Sequence, residues 1–142
     1  KVEVALASPD LVIWQVGTND ALAQIPPDDF AASVRDTIRW LKAHKVDVAL
    51  VGLHYIRNLK QDPAYQATRR ALSEIAHDEK VLRIGRYEAG QIIDQIQSSG
   101  GRAPVDVFAM TETGYGCVAE YVVRALSSGL FARKPTGPRP KI

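Results

Sequence analysis

The sequence is poor in sulfur and has no long apolar run. Of its 142 residues one is a cysteine, Cys117, and one a methionine. A single thiol excludes an internal disulfide framework and any multi-cysteine zinc cluster. It does not settle the compartment, because reduced cytosolic proteins and disulfide-free exported proteins share this composition. No apolar stretch approaches the ~18–20 residues of a membrane span, and no signal-like segment opens the sequence. An excess of one charge is missing too: 18 Lys+Arg against 16 Asp+Glu leave a net charge of +2. Nucleic-acid binding calls for a basic face with interleaved aromatics. Aromatics are 7% of the chain and no such face is present, so no nucleic-acid partner is expected.

Apolar residues make up 46% and charged residues 24%, which is ordinary globular composition. The length suits one compact domain of ~100–150 residues. The charge is unevenly placed. Residues 132–142 hold Arg133, Lys134, Arg139 and Lys141, no acid, and three of the eight prolines. Without them 14 basic and 16 acidic residues remain. The expected organisation is therefore a domain over residues 1–131 and a solvated, basic, Pro-rich tail over 132–142.

Within the domain, strands alternate with helices. Leu11 to Val16 is a short, nearly continuous apolar run ending at Gly17, which predicts a strand buried on both faces. Pro26-Pro27-Asp28-Asp29 supplies helix-start chemistry, and Phe30, Val34, Ile38 and Leu41 follow at helical spacing. Val46 to Leu53 predicts a second buried strand. Asp62-Pro63 is an N-cap and first-turn pair, with Tyr65, Leu72 and Ile75 on one helix face. Val81 to Ile84 is a third short strand, followed by a helix with Ile92, Ile93 and Ile96 that closes at Ser98-Ser99-Gly100-Gly101. A last helix from about Gly114 to Leu126 carries Val118, Val122 and Ala125 on one stripe. The pattern implies βαβ crossovers and a parallel sheet covered on both sides, an α/β/α sandwich. Ligands of such sheets bind beyond the carboxyl ends of the strands. Gly17-Thr18-Asn19-Asp20, His54-Tyr55 and the stretch from Asp106 fall there.

Asp10 to Asp20, a buried strand leading into Gly17-Thr18-Asn19-Asp20, resembles the third conserved block of the SGNH (GDSL-type) esterases and lipases. Asp106-Val107-Phe108-Ala109-Met110, continuing through Gly114-Tyr115 to Ala119-Glu120, resembles the last block, an Asp-x-x-His ahead of a Gly-Tyr-led helix. The likeness runs from residue 10 to about 126. It implies a flavodoxin-like α/β/α fold and hydrolysis of carboxylic (acyl) esters through a Ser acyl-enzyme, with no metal and no cofactor. By the resemblance Asn19 is the side-chain donor to the oxyanion, Asp106 the acid that orients a catalytic His, and Gly17, His54 and Tyr55 line the substrate site. The substrate would be a small-molecule or glycan ester, and a periplasmic or secreted location is favoured.

The sequence departs from the family in two respects. The Gly-Asp-Ser block that supplies the nucleophile has no counterpart, and Ala109 stands where the family has its His base. Alanine has no proton acceptor, so activation of a Ser by that route is excluded, and the chain as it stands is expected to be inactive. It reads as an inactivated variant, as a non-catalytic relative that binds an acylated glycan or peptide, or as the later part of a domain. In the last case the first strands precede Lys1, and a missing amino-terminal segment or a second chain completes the sheet.

Other residues carry less. Asp20 reads as structural, bonding loop or helix-start amides. His54 could line the pocket or stand in for the missing base, or be an ordinary loop residue. His44 and His77 read as solvated helix-end residues, and no pair of histidines has the spacing of metal ligands on a helix. Cys117 reads as a small buried hydrophobe. A receiver-like module needs clustered acids after the first strand and a later Lys, which these strand ends do not offer.

Overall fold

The structure, a computed structural model, describes residues 7–100 and 112–129, with the side chains of the last helix described at 116 and 118–129. The chain divides into two units, Lys1–Asp106 and Val107–Ile142. Asp106, Ala109 and the tail over 132–142 lie outside the described residues, as does the side chain of Cys117.

The first unit runs β1 (Leu11–Gln15), α1 (Thr18–Leu22), α2 (Pro27–Ala43), β2 (Asp47–Val51), a 3-10 turn (Arg57–Leu59), α3 (Pro63–Asp78), β3 (Leu82–Ile84) and α4 (Arg86–Ser98). The three strands are parallel, in the order β1-β2-β3. Gln15 is level with Val51, and Val51 with Ile84, so the three strands end together. The fold is α/β with a small parallel sheet.

Each helix forms where its sequence offers a start and one apolar face. Pro27 opens α2, where a missing N–H costs nothing, and Asp28 and Asp29 lie at the positive end of its dipole. Phe30, Val34, Ile38 and Leu41, one turn apart, are all buried. Asp62 caps α3: its Oδ1 accepts the Tyr65 N–H at 2.7 Å. Tyr65, Leu72 and Ile75 are buried on that helix. Helices α2 and α3 pack on each other and on the sheet, with Val48 and Leu50 of β2 in the shared core. A fully buried Ile or Leu of this kind contributes ~1.5–3 kcal/mol relative to exposure.

Both of these helices end alike. Lys45 and Lys80 adopt left-handed φ of 61° and 51°. The Val46 and Val81 N–H groups then reach back to Leu41 O and Ala76 O, each at 3.0 Å. This is the Schellman closure, usually built on Gly. It turns each helix into the next strand within three residues.

β1 departs from expectation. Predicted to be buried on both faces, it has an alternating pattern in which Ile13 is 50% exposed and Gln15 is exposed. The reason is position: β1 is the edge of the described sheet, whereas β2, paired on both sides, is buried from Val48 to Val51. Val12 and Trp14, on the other face of β1, do pack against the core.

In the second unit, α5 spans Glu112–Gly129. Val118, Val122 and Ala125 are half-buried while Tyr121, Val123 and Arg124 are exposed, so the expected stripe is present. No helix among the described residues is long and apolar enough to cross a membrane.

Candidate active site

Because the strands are parallel and in register, the residues just after β1, β2 and β3 share one edge of the sheet. Gly17, Thr18 and Asn19 follow β1, His54 and Tyr55 follow β2, and Arg86 and Tyr87 follow β3.

After β1 the chain turns sharply at Gly17, with φ at 102°. A side chain there would be strained, and it would also collide, since a Cβ would lie 2.6 Å from Leu53 Cδ1. Helix α1 begins at once. The Gly17 N–H donates to Asp20 Oδ2 at 3.2 Å, which gives Asp20 the structural role expected of it. Asn19 thus sits in the first turn of α1. It is exposed at the carboxyl edge, and its side-chain amide has no acceptor among the described residues. The left-handed residue of the turn is Gly17, so the amide of Asn19 is not spent on holding the turn.

After β2 the polar groups are engaged. The His54 N–H donates to Thr18 Oγ1 at 2.9 Å, and its carbonyl accepts the Tyr65 hydroxyl at 2.6 Å. Tyr55 turns toward α4 and lies over Gly90, where a Cβ would come within 2.5 Å of the tyrosine Cβ. Its hydroxyl donates to Asp94 Oδ2 at 2.6 Å, and Arg57 pairs with the same carboxylate. The Tyr55 and Tyr87 rings meet edge to face at 5.2 Å, and the Arg69 guanidinium lies 4.5 Å from the Tyr87 ring centre. The hydrogen bond to Asp94 and, after it, burial push the Tyr55 phenol up to about 12. The same hydrogen bond, with Arg57 alongside, holds Asp94 below the usual carboxylate range.

Of the residues singled out from the sequence, the fold brings Gly17, Asn19, His54 and Tyr55 to one edge, while Asp106 and Ala109 fall outside the described residues. Thr18, Tyr65 and Asp94 were not anticipated. Thr18 fills the variable place in Gly-x-Asn, Tyr65 looked like one more member of an apolar helix face, and Asp94 looked like a solvated helix residue. Their partners are 11 to 39 positions away, and no local spacing reports such pairs. Among the described residues no group of three His, Cys, Asp or Glu could hold a metal ion.

No family model and no curated protein matches the chain. Solved structures do. TesA superposes with a TM-score of 0.66 at 20% identity, over 89% of this chain and 67% of its own. A mutant of Axe2, an acetyl-xylooligosaccharide esterase from Geobacillus Stearmophilus, gives 0.63 at 18% identity, over 96% and 65%. The chain spans about two thirds of the length of these structures. At this level of identity the likeness is one of fold, and the chain has the SGNH (GDSL-type) esterase fold.

Proposed function

We propose that the chain is part of an SGNH-type serine hydrolase domain for carboxylic (acyl) esters, in which Asn19 donates to the oxyanion. The observation that supports this is the exposed Asn19 amide, without an acceptor among the described residues and seated at the carboxyl edge by the Gly17 turn. When a Ser Oγ adds to an ester carbonyl, negative charge develops on the carbonyl oxygen. A donor already fixed there stabilises the tetrahedral intermediate, and loss of one such donor costs ~2.7–4 kcal/mol. The C–O bond to the alcohol then breaks and leaves the acyl group on Ser, from which water removes it as a carboxylate. The Ser proton passes to a His base and on to the leaving alcohol, with Asp106 orienting that base. In this chain Ala109 occupies the place of the base and no Gly-Asp-Ser block is present. Gly17, His54 and Tyr55 are assigned to the walls of the substrate site. The activity of Axe2 makes an acetylated oligosaccharide the first substrate to try.

A fluorophosphonate probe should leave the chain unlabelled. Joining a Gly-Asp-Ser segment ahead of Lys1 together with Ala109→His should produce hydrolysis of p-nitrophenyl acetate. Labelling of the unaltered chain would show that a reactive Ser is present after all. The second reading, a non-catalytic domain that retains the pocket for an acylated glycan or peptide, is favoured by Ala109. It predicts calorimetric binding of acetylated xylooligosaccharide over the deacetylated form, and no hydrolysis in the joined Ala109→His protein.

A further inference from the structure

The backbone of His54 is gripped at both ends by side chains from two other elements. Its N–H donates to Thr18 Oγ1 at 2.9 Å, and its C=O accepts from the Tyr65 hydroxyl at 2.6 Å. The two bonds clamp one peptide group from both sides, its N–H by Thr18 and its C=O by Tyr65. Tyr65 is 1% exposed, so water cannot readily replace its hydroxyl. Loss of either hydroxyl would leave a polar group of this peptide without its partner, which is penalised wherever water cannot take its place. Thr18 is the residue immediately before Asn19 and opens α1. Tyr65 is fixed by the first turn of α3, where its own N–H is held by Asp62. The clamp thus ties the turn that carries Asn19 to the strand end at His54 and to the start of α3.

We propose that Thr18 and Tyr65 are positioning residues: through the His54 peptide they hold α1, and with it the Asn19 amide, at the carboxyl edge of the sheet. The proposal rests on the reading of Asn19 as the oxyanion donor. Both hydroxyls are committed to the His54 peptide. Their effect is to remove a freedom that α1 would otherwise keep, for this helix has five residues and ends in the exposed Leu22. A helix so short is marginal without outside support.

The test compares Thr18→Val and Tyr65→Phe with the unaltered chain by amide hydrogen exchange. The reporters are Ala21 and Ala23, whose N–H groups donate to Gly17 O and Asn19 O. The reference is Val46, bonded to Leu41 O at the far end of the sheet. Protection of Ala21 and Ala23 should fall about tenfold relative to Val46 in both variants, as loss of a buried hydrogen-bond partner predicts. Thr18→Ser, which keeps the hydroxyl, should restore it. A purely structural contribution would lower protection at Val46 by the same factor. Equal changes at both sites, or none at Ala21 and Ala23, overturn the positioning role. Acetate, the simplest carboxylate product, probes the donor separately. Its titration should move the Asn19 side-chain amide resonances in the unaltered chain and should need severalfold more acetate in Thr18→Val. If those resonances stay still in the unaltered chain, the donor reading fails while the exchange result still decides the positioning role.

Discussion

Two segments at the same edge of the sheet use their polar groups in opposite ways. The turn after β1 leaves its key side chain unspent: Gly17 takes the strained conformation, Asp20 holds the Gly17 N–H, and the Asn19 amide has no acceptor among the described residues. The segment after β2 spends what it has, with the His54 peptide held by Thr18 and Tyr65, and Tyr55 and Arg57 both on Asp94. The difference shows how a site can present one free donor. A hydrogen-bonding group stays both available and fixed only if its neighbours carry the cost of holding the backbone. The β2 segment is the brace and the β1 turn is what it braces.

The sharpest way to break this arrangement is at Gly17. Gly17→Ala puts a side chain on a left-handed residue and within 2.6 Å of the Leu53 side chain. Together the backbone strain and the overpacking should cost about 3 kcal/mol. Urea unfolding should show a lower midpoint at unchanged slope. A loss below ~1 kcal/mol would mean that the turn relaxes easily and does not hold Asn19 in place.

How much of this was legible in the sequence follows from the range of the interactions. Helices α2 and α3 could be read because their signals are local: Pro27 with two following acids, Asp62-Pro63, and apolar residues one turn apart. The turn at Gly17 could be read because the apolar run of β1 ends there. The ends of α2 and α3 could not, since Lys45 and Lys80 adopt left-handed conformations that composition assigns to Gly. The exposure of Ile13 was hidden as well. An apolar run predicts burial on both faces only for a strand with neighbours on both sides, and strand order is not written in the run. Thr18, Tyr65 and Asp94 gain their roles from partners far along the chain, where side-chain type alone says nothing.

A smaller effect is expected at the root of the brace. Asp62→Ala removes the acceptor of the Tyr65 N–H and should cost about 1 kcal/mol, the usual worth of an N-cap. The first turn of α3 carries the Tyr65 hydroxyl, so fraying there should loosen the His54 peptide it holds and raise exchange of the His54 N–H. A full-sized stability loss with no change at His54 would separate the cap from the brace.

The smallest effect on stability, and the clearest on titration, is expected at Asp94. The neutral Tyr55 phenol donates to the Asp94 carboxylate, so each group favours the other's resting state. The tyrosine is raised from 10.0 to about 12. Its contribution to stability is therefore complete below pH 10 and is lost as pH rises through about 12. The carboxyl is lowered from 3.8, so its contribution is present above that pH and fades as pH falls through the folded value. Asp94→Asn removes the charge, the stronger acceptor and the Arg57 pair together, yet it leaves the Tyr55 ring over Gly90 and against Tyr87. Ultraviolet titration at 295 nm should then show one tyrosine moving from about 12 back toward 10, with thermal unfolding at neutral pH little changed. Burial raises Tyr65 as well, so the readout is the number of late-titrating tyrosines. If it is unchanged in Asp94→Asn, burial rather than the carboxylate holds the Tyr55 phenol, and the β2 segment is braced by packing more than by its polar bonds.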